Sequence, residues 1–322
     1  AKKKAMLRLL RDLFRKLIVM TLVADVVFSI AGFFGLLHRY CELASHFRLQ
    51  YLIAACLCVL FFAIFKAWRQ VIVAMVCVVV NAWVVIPWLL LSASDRVNPS
   101  QPDLRLMSAN LLYRNWNHDA LLELVKKENP DVLVVQEASE HWQEALKALD
   151  QIYPYTRFAQ KSDRESLMLF SRYALADLPI KNESEADFGH LRVVLNFNGK
   201  TVSLIGLHPT TPVGDKDFRA RNRQFTVVAS MVRELSQPVV VIGDFNSTMW
   251  SPYFARFVEE TKLVSARKGF GILPTFPTFF PLLMIPIDHC LVSPDIKVLD
   301  CRKGSNIGSD HLPLIVDLAL GK

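Results

Sequence analysis

Three long apolar runs at the start of the chain constrain it more than any other feature. Leu17–Leu37 (LIVMTLVADVVFSIAGFFGLL) and Val71–Leu91 (VIVAMVCVVVNAWVVIPWLLL) hold 21 residues each, and Tyr51–Phe65 holds 15. A helix rises about 1.5 Å per residue, so about 20 apolar residues cross a hydrocarbon core of about 30 Å. The middle run is short for a span, but Lys66 and Arg69 can snorkel to the head groups. A cleaved signal peptide has a shorter apolar stretch and leaves two further runs unexplained. A buried helical hairpin of a soluble protein is the other reading, disfavoured by the length of the uncharged runs. Residues 1–94 therefore read as a membrane anchor with about three transmembrane helices. Asp25 lies inside the first run, where a charge is costly. It is expected to be neutral, or to pack on a polar partner such as Asn81, ahead of any transport role.

Charge divides the chain the same way. Residues 1–94 carry 11 Lys and Arg against 3 Asp and Glu, whereas residues 95–322 carry 26 against 27. The whole-chain net charge of +7 thus belongs to the anchor, and the near-neutral remainder withdraws most of the case for a nucleic-acid partner that a basic protein would raise. Lys2, Lys3, Lys4, Arg8, Arg11, Arg15 and Lys16 precede the first run, Arg39 and Arg48 alone lie between the first and second, and the five residues Lys66–Gln70 hold two basic groups. Positive-inside bias puts the N-terminus and the second loop in the cytoplasm. Three crossings then place the C-terminal domain outside, in the periplasm of a Gram-negative inner membrane. If the middle run does not span, the domain is cytoplasmic.

Asp95–Asp103 reads as a linker and residues 104–322 as a second domain. Strands are expected at Leu104–Leu111, Val132–Gln136, Leu167–Ser171, Pro238–Ile242, Ile287–Ser293, Ile296–Asp300 and Pro313–Leu318. Leu191–Phe197 and Thr201–Leu207 flank Asn198-Gly199, a hairpin signal. Helical patterns cover His118–Glu128, with Asn117 as its cap, Ser139–Leu149 and Phe218–Leu235. Hairpins mixed with helices predict a layered α/β (α+β) domain on largely antiparallel sheets. Cys290 and Cys301 flank the turn signal Ser293-Pro294-Asp295, so they either face each other across a hairpin and form a disulfide in an oxidising compartment, or stay as two core thiols.

Polar groups suited to metal and phosphate recur at the ends of these strands. Asn110 ends the first, Glu137 follows the second in VVQE, and His208 follows the hairpin in GLHPTTP. Asp244 and Asn246 sit in GDFN, Asp288 in IDHC, and Asp310 and His311 in GSDHLP. Singly, each is more often a turn residue. Together they form a set hard to assign to chance turns.

GDFN, the terminal SDH, QE and SAN resemble the endonuclease/exonuclease/phosphatase superfamily, the fold of pancreatic deoxyribonuclease, abasic-site endonucleases, neutral sphingomyelinases and inositol-polyphosphate 5-phosphatases. The resemblance covers about residues 104–320. SRY, RNRQ, TFP and IDH look like bacterial members with a membrane-spanning N-terminus. It implies a four-layer sandwich of two mostly antiparallel sheets flanked by helices, and a metal-dependent hydrolase of phosphate esters. By the resemblance Glu137 is the principal ligand of Mg²⁺ (or Mn²⁺), with Asn110 beside it and Asp310 assisting. Asp244 orients or deprotonates the attacking water, and Asn246 and His208 donate to phosphate oxygens. His311, oriented by Asp288, contacts the phosphoryl group or protonates the leaving group. Arg192 and Arg219 are candidates to hold an anionic substrate, or are surface salt-bridge residues.

The short TTPVGDKD connection after His208 lacks the insertion that nucleases of this family use on DNA. Phe270–Pro286 (FGILPTFPTFFPLLMIP) is apolar and runs up to Asp288, either as a loop packed under the sheet or as a lip for lipid or an apolar substrate. The expected partners are the lipid bilayer and a lipid-linked or small phosphate ester. An extracytoplasmic nuclease and an inactive membrane-bound interaction module are the alternatives; the intact acidic and imidazole set argues against the latter.

Overall fold

The computed structural model describes residues 2–90, 102–160, 162–178, 189–197, 199–236 and 238–320. Most of the expected linker 95–103 and Asn198 of the hairpin turn fall outside these residues. The chain divides into two compact units, Ala1–Pro87 with Trp250–Pro252, and Trp88–Met249 with Tyr253–Lys322.

The first unit is helical: α1 (Lys2–Ala31), α2 (Arg39–Ser45), α3 (Arg48–Ile64) and α4 (Trp68–Leu89). Leu9–Phe34 and Trp68–Leu89 are long and apolar enough to cross a membrane, and α2 with α3, bent by 65°, makes a third candidate if the pair counts as one span. Small side chains let the helices approach: Ala55 and Ala74 are wholly buried beside Leu22, Cys58, Phe62 and Cys77. Asp25 is buried and answered locally. Ser29 Oγ donates to its Oδ1 at 2.9 Å, Asn81 Nδ2 donates to Ser29 Oγ at 2.8 Å, and Arg48 Nη1 donates to the Ser29 carbonyl at 2.7 Å. Asn81 thus reaches Asp25 through Ser29, and Arg48, from the segment between the first two runs, holds the Ser29 backbone.

The second unit holds, in chain order, β1 (Leu104–Asn110), α5 (His118–Glu128), β2 (Val132–Gln136), α6 (Glu140–Leu146), β3 (Tyr155–Gln160), β4 (Ser166–Ser171) and β5 (Leu175–Asp177). There follow β6 (His190–Phe197), β7 (Lys200–Leu207), α7 (Asp215–Glu234), β8 (Val239–Asp244), α8 (Pro252–Thr261), β9 (Val264–Ser265), β10 (Asp288–Val292), β11 (Ile296–Lys303) and β12 (Leu314–Leu320). The strands make two six-stranded sheets, ordered β11-β12-β1-β2-β4-β3 and β5-β6-β7-β8-β10-β9. Alternate residues of both sheets, among them Leu106, Val134, Leu169, Val193, Leu204, Ile242 and Val316, meet in one core. The opposite face of the first sheet packs Met107, Leu133 and Val135 against Leu121, Val125 and Trp142 of α5 and α6. On the second sheet, Arg192 of β6 meets Met231 of α7 and His289 of β10 packs against Phe254 of α8. Four layers result, as expected.

Each sheet is antiparallel except for one central parallel pair, β1 with β2 and β7 with β8. Those two pairs position the site, because parallel neighbours end on the same edge.

Two local expectations are corrected. Asn117 makes no capping hydrogen bond; Asn115 Oδ1 accepts from the Asn117 N–H at 3.0 Å instead. Residues 293–295 do not turn a hairpin: β10 belongs to one sheet and β11 to the other, so the segment crosses between them. Cys290 and Cys301 are both free thiols buried in the shared core, and burial pushes the Cys301 thiol up to about 12 and raises that of Cys290.

Candidate active site

Asn110 ends β1 and Glu137 directly follows β2; His208 directly follows β7 and Asp244 ends β8. These are the carboxyl ends of the two parallel pairs. Asp288 opens antiparallel β10 opposite Asp244, and His311 lies just before β12, which runs antiparallel to β1. All six therefore reach one edge of the sandwich. The backbone bends to aim them: Glu137 and Asn246 have positive φ (58° and 47°), conformations that cost energy and cluster at functional positions.

The Asn110 amide joins the two halves. Its Nδ2 donates to Glu137 Oε1 at 3.3 Å and to Asp244 Oδ2 at 3.2 Å, while its Oδ1 accepts from Leu112 N–H at 3.0 Å. Asp244 Oδ2 also lies 3.7 Å from His208 Nε2 and 3.7 Å from His311 Nε2, and its Oδ1 accepts from the Asn246 N–H at 2.8 Å. On its far side His311 Nδ1 meets Asp288 Oδ2 at 2.9 Å. Asp244, Asp288, His208, His311 and Asn110 are all buried.

Burial pushes the Asp244 carboxyl up to about 7 against the pull of His311 and the hydrogen bonds from Asn246 and Asn110. Burial lowers the His208 imidazole, with His311 adding to the effect, to about 4. Burial alone would lower His311 as well, but the charges of Asp288 and Asp244 outweigh it and carry this imidazole up to about 10. His311 is thus an imidazolium between two carboxylates, and His208 is neutral.

Glu137 is the better seat for a metal. Burial raises its carboxyl, and the Tyr113 N–H (3.2 Å) and the Asn110 amide only partly offset this. The His311 charge also pulls it down and the Asp310 carboxylate pushes it up, and no cationic side chain comes within ion-pair distance of Glu137 among the described residues. A carboxylate pair with hard oxygen donors and no counter-ion fits a divalent cation such as Mg²⁺ or Mn²⁺. Asp244, Asp288 and His311 also present donor atoms within 4.8 Å of one another. There the His311 imidazolium already balances the charge, so a cation is needed less than beside Glu137.

Asn246 is half-buried and donates one amide proton to the Pro209 carbonyl at 2.9 Å, which leaves the second proton for a ligand. Asp310 is half-buried in the loop before β12. Arg192 and Arg219 are not brought to this cluster. Arg192 alternates away from the inter-sheet core and packs on Met231 Sδ, and Arg219 is exposed on α7. His289 likewise alternates away from Asp288, donating to or accepting at Ser247 O through Nε2 at 2.9 Å; since a carbonyl only accepts, Nε2 donates.

Several supports carried no sequence signal as catalytic groups. Ser309 donates to the Asn110 carbonyl at 2.8 Å and accepts from the His311 N–H at 3.1 Å, tying the SDH turn to β1. Arg221, buried among Phe218, Phe225 and Tyr253, donates to the Asn246 carbonyl at 3.1 Å. Arg267 is buried and donates to the carbonyls of Ile272, Leu273 and Asp288, pinning the 268–287 loop behind Asp288. Only the RNRQ and SDH patterns hinted at any of these.

The model for the Endonuclease/Exonuclease/phosphatase family matches residues 107–311. A UPF0294 protein of Vibrio parahaemolyticus is 25% identical over 124 residues, 38% of this chain and 42% of that relative, so the match spans less than half the relative's length. An endonuclease/exonuclease/phosphatase structure from Bacteroides vulgatus superposes with a TM-score of 0.57 at 21% identity, over 67% of this chain and 98% of that one. One from Beutenbergia cavernae gives 0.56 at 19% identity, over 68% and 72%. At such identities these structures establish a shared fold.

Two outcomes follow from the geometry. Gly243 has φ +151°, and a Cβ there would lie 2.0 Å from the Leu207 carbonyl oxygen, a backbone atom. Gly243→Ala must push β8 from β7 and shift Asp244 relative to His208; turnover is expected to fall by about 100-fold or more, with a lower melting temperature in a thermal-shift assay. Histidine ring ¹⁵N NMR on EDTA-treated protein reads the charge assignment. A raised value keeps the proton as pH climbs, so the His311 resonances should remain those of an imidazolium at pH 8; a lowered value sheds it early, so His208 should stay neutral down to about pH 5.

Proposed function

Because this chain belongs to the Endonuclease/Exonuclease/phosphatase family, we propose that it is a membrane-anchored, divalent-metal-dependent hydrolase of a lipid-linked or small phosphate ester, a phosphodiesterase or phosphatase. The observation that carries the reading is the Asn110 amide shared between Glu137 and Asp244. It sets a carboxylate suited to a cation beside a carboxylate suited to a water, within one buried cluster.

Hydrolysis of a phosphate ester needs positioning and charge stabilisation more than covalent help. Glu137, with Asn110 and Asp310, would hold the cation, which when bound supplies positive charge to the phosphate oxygens. Asp244, held by Asn110 and the Asn246 N–H, orients the water and accepts its proton, for which a value near 7 is well matched. His208 is neutral and can donate one hydrogen bond to phosphate; Asn246 offers its free amide proton. His311 keeps its positive charge through neutral pH and stands where charge develops, ready to donate to a phosphoryl oxygen or to the departing alkoxide. Asp288 fixes its ring by the Nδ1 hydrogen bond.

The lip supports a lipid-linked substrate. Phe270 and Leu273 pack on the inter-sheet core and Ile272 and Ile285 are buried, so the loop is rooted under the sheet. Its tip is not: Phe279 is 76% and Leu282 80% exposed, with Phe280 and Leu283 also open. Thr278 fastens this tip to the catalytic turn, its N–H donating to the Asp310 carbonyl at 2.9 Å and its hydroxyl to the Ser309 carbonyl at 2.8 Å. Exposed apolar side chains grouped in this way mark contact with lipid or a partner.

The detergent-solubilised full chain should hydrolyse a chromogenic phosphodiester with Mg²⁺ or Mn²⁺ and stop on addition of EDTA. Asp244→Asn and Glu137→Gln should each lose at least about 100-fold in kcat, in line with removal of a general base or of charge stabilisation. Full metal-dependent turnover by Asp244→Asn would remove the proposed mechanism. Preference for plasmid DNA over phospholipids and lipid-linked phosphates would move the assignment to an extracytoplasmic nuclease.

Orientation is tested separately. Lys297 is exposed on β11. With the basic flanks in the cytoplasm and three spans, Lys297→Cys in a Cys41→Ser background should react with a membrane-impermeant maleimide in cells whose inner membrane is intact, and the background alone should not. Labelling only after that membrane is broken would put the domain in the cytoplasm.

A further inference from the structure

Trp116 is the anomaly of the catalytic unit. Trp142 is buried, yet Trp116 is 70% exposed. An exposed indole is commonly a loose side chain; this one is held. Its ring stacks on His141 with centroids 3.9 Å apart and planes 14° from parallel. His141 is fixed at both nitrogens. Nε2 lies 2.8 Å from the Tyr113 carbonyl, which only accepts, so Nε2 carries the proton, and Nδ1 then accepts from His118 Nε2 at 2.9 Å. His118 in turn stands edge-on to buried Trp142, centroids 4.6 Å apart. A ladder of rings thus runs from the core to the surface and ends in an indole face presented to solvent.

The same loop holds the metal-side carboxylate. The Tyr113 N–H donates to Glu137 Oε2, and the Tyr113 carbonyl takes both His141 and the Ser139 hydroxyl (2.9 Å), so platform and site are held by the backbone of one residue. Arg164 completes the rim. Exposed, it donates to the Tyr113 hydroxyl at 2.8 Å, lies over that ring at 4.8 Å, and senses the charge of Glu137.

We propose that Trp116, backed by His141, is a stacking subsite for a ring on the alcohol side of the phosphate ester, with Arg164, seated on the Tyr113 ring of the same loop, as an anion contact. The neighbours decide against an acyl chain. Trp116 stands alone among exposed Arg114 and Asn117 and part-exposed His118, whereas the contiguous apolar surface that a hydrocarbon needs lies on the 279–283 tip. A rigid aromatic face with a cation and a phosphate site close by is the composition that binds a ring next to a phosphate, because stacking needs an oriented plane and little else. A nucleoside and a sugar ring share this chemistry.

This subsite rests on the phosphate-ester reading, and two measurements on the detergent-solubilised full chain separate them. The first compares kcat/KM for p-nitrophenyl thymidine 5′-phosphate with that for methyl p-nitrophenyl phosphate. Trp116→Ala should lower this ratio about 5- to 150-fold, the range to which about 1–3 kcal/mol of base–aromatic stacking converts at about 1.4 kcal/mol per tenfold, and Trp116→Phe should keep most of it. The second is tryptophan fluorescence titrated with adenosine monophosphate, glucose 1-phosphate and inorganic phosphate. Quenching by either ring-bearing phosphate, absent with inorganic phosphate and absent in Trp116→Ala, supports the platform, and the stronger quencher tells aromatic from sugar. An unchanged ratio with no ring-dependent quenching overturns it. If neither ester is hydrolysed by the parent protein while ring-dependent quenching persists, the hydrolase reading falls and the subsite stands.

Discussion

A carboxylate buried without a full counter-charge is the constraint on which the rest of this structure depends. Asp244 is almost wholly out of solvent, where its ionised form is disfavoured by several kcal/mol. Its neighbours make that form usable: the Asn110 amide and Asn246 N–H donate to it, and His311 supplies a positive charge in the same pocket. Had a lysine or arginine been placed against it, the carboxylate would be fully paired and a poor base. Asp288 shares the charge of His311 with Asp244, which leaves Asp244 partly satisfied and poised near neutrality. Glu137 feels the His311 charge only at longer range and forms no ion pair among the described residues, so it is the carboxylate that would take a cation from solution.

The sheets explain how residues so distant in sequence come to this arrangement. A parallel pair delivers two carboxyl ends to one edge, and each sheet has one such pair at its centre, flanked by antiparallel strands. Facing the two sheets brings the four ends together across the core, Asn110 and Glu137 on one side, His208 and Asp244 on the other. Antiparallel β10 and β12 then return to the same edge with Asp288 and His311 at their starts. The closeness of Gly243 to Leu207 shows how tightly the β7–β8 end is drawn in: only a residue without a side chain fits there. GDFN is thus two constraints in one motif, a steric one at Gly243 and a chemical one at Asp244 and Asn246.

Much of this was legible in the chain. Continuous apolar runs such as Val132–Gln136 and Val239–Ile242 announce buried strands, and a polar residue at the end of each announces an edge where chemistry can sit. The parallel pairing was not legible, because an apolar run reads the same whichever way its neighbour points. β3, β5 and β9 were missed for another reason: short or half-exposed edge strands carry no unbroken apolar run. The misassigned Cys290–Cys301 hairpin shows the limit of turn signals, since Ser-Pro-Asp fits a crossing between sheets as well as a reversal within one. Arg192 and Arg219 were named for their charge alone, and charge does not report the face of a strand or helix. Arg221 and Arg267 are used where sequence reasoning does not look, buried with their guanidinium groups on backbone carbonyls.

The two surfaces beside the site differ in kind, and that difference bears on how a substrate would lie. Two carbonyls of the catalytic turn, accepting from Thr278, fasten the apolar tip at 279–283 to the His311 side, while the Tyr113 backbone fastens Trp116 to the Glu137 side. The scissile phosphate would sit between His311 and Glu137, with one substituent directed to each surface. A molecule with hydrocarbon on one side of its phosphate and a ring on the other satisfies both at once, whereas a ring on each side leaves the tip exposed and hydrocarbon on each side leaves the indole face bare. On that reading the residues around the phosphate would carry the chemistry, and the asymmetry of its rim would carry the choice among esters.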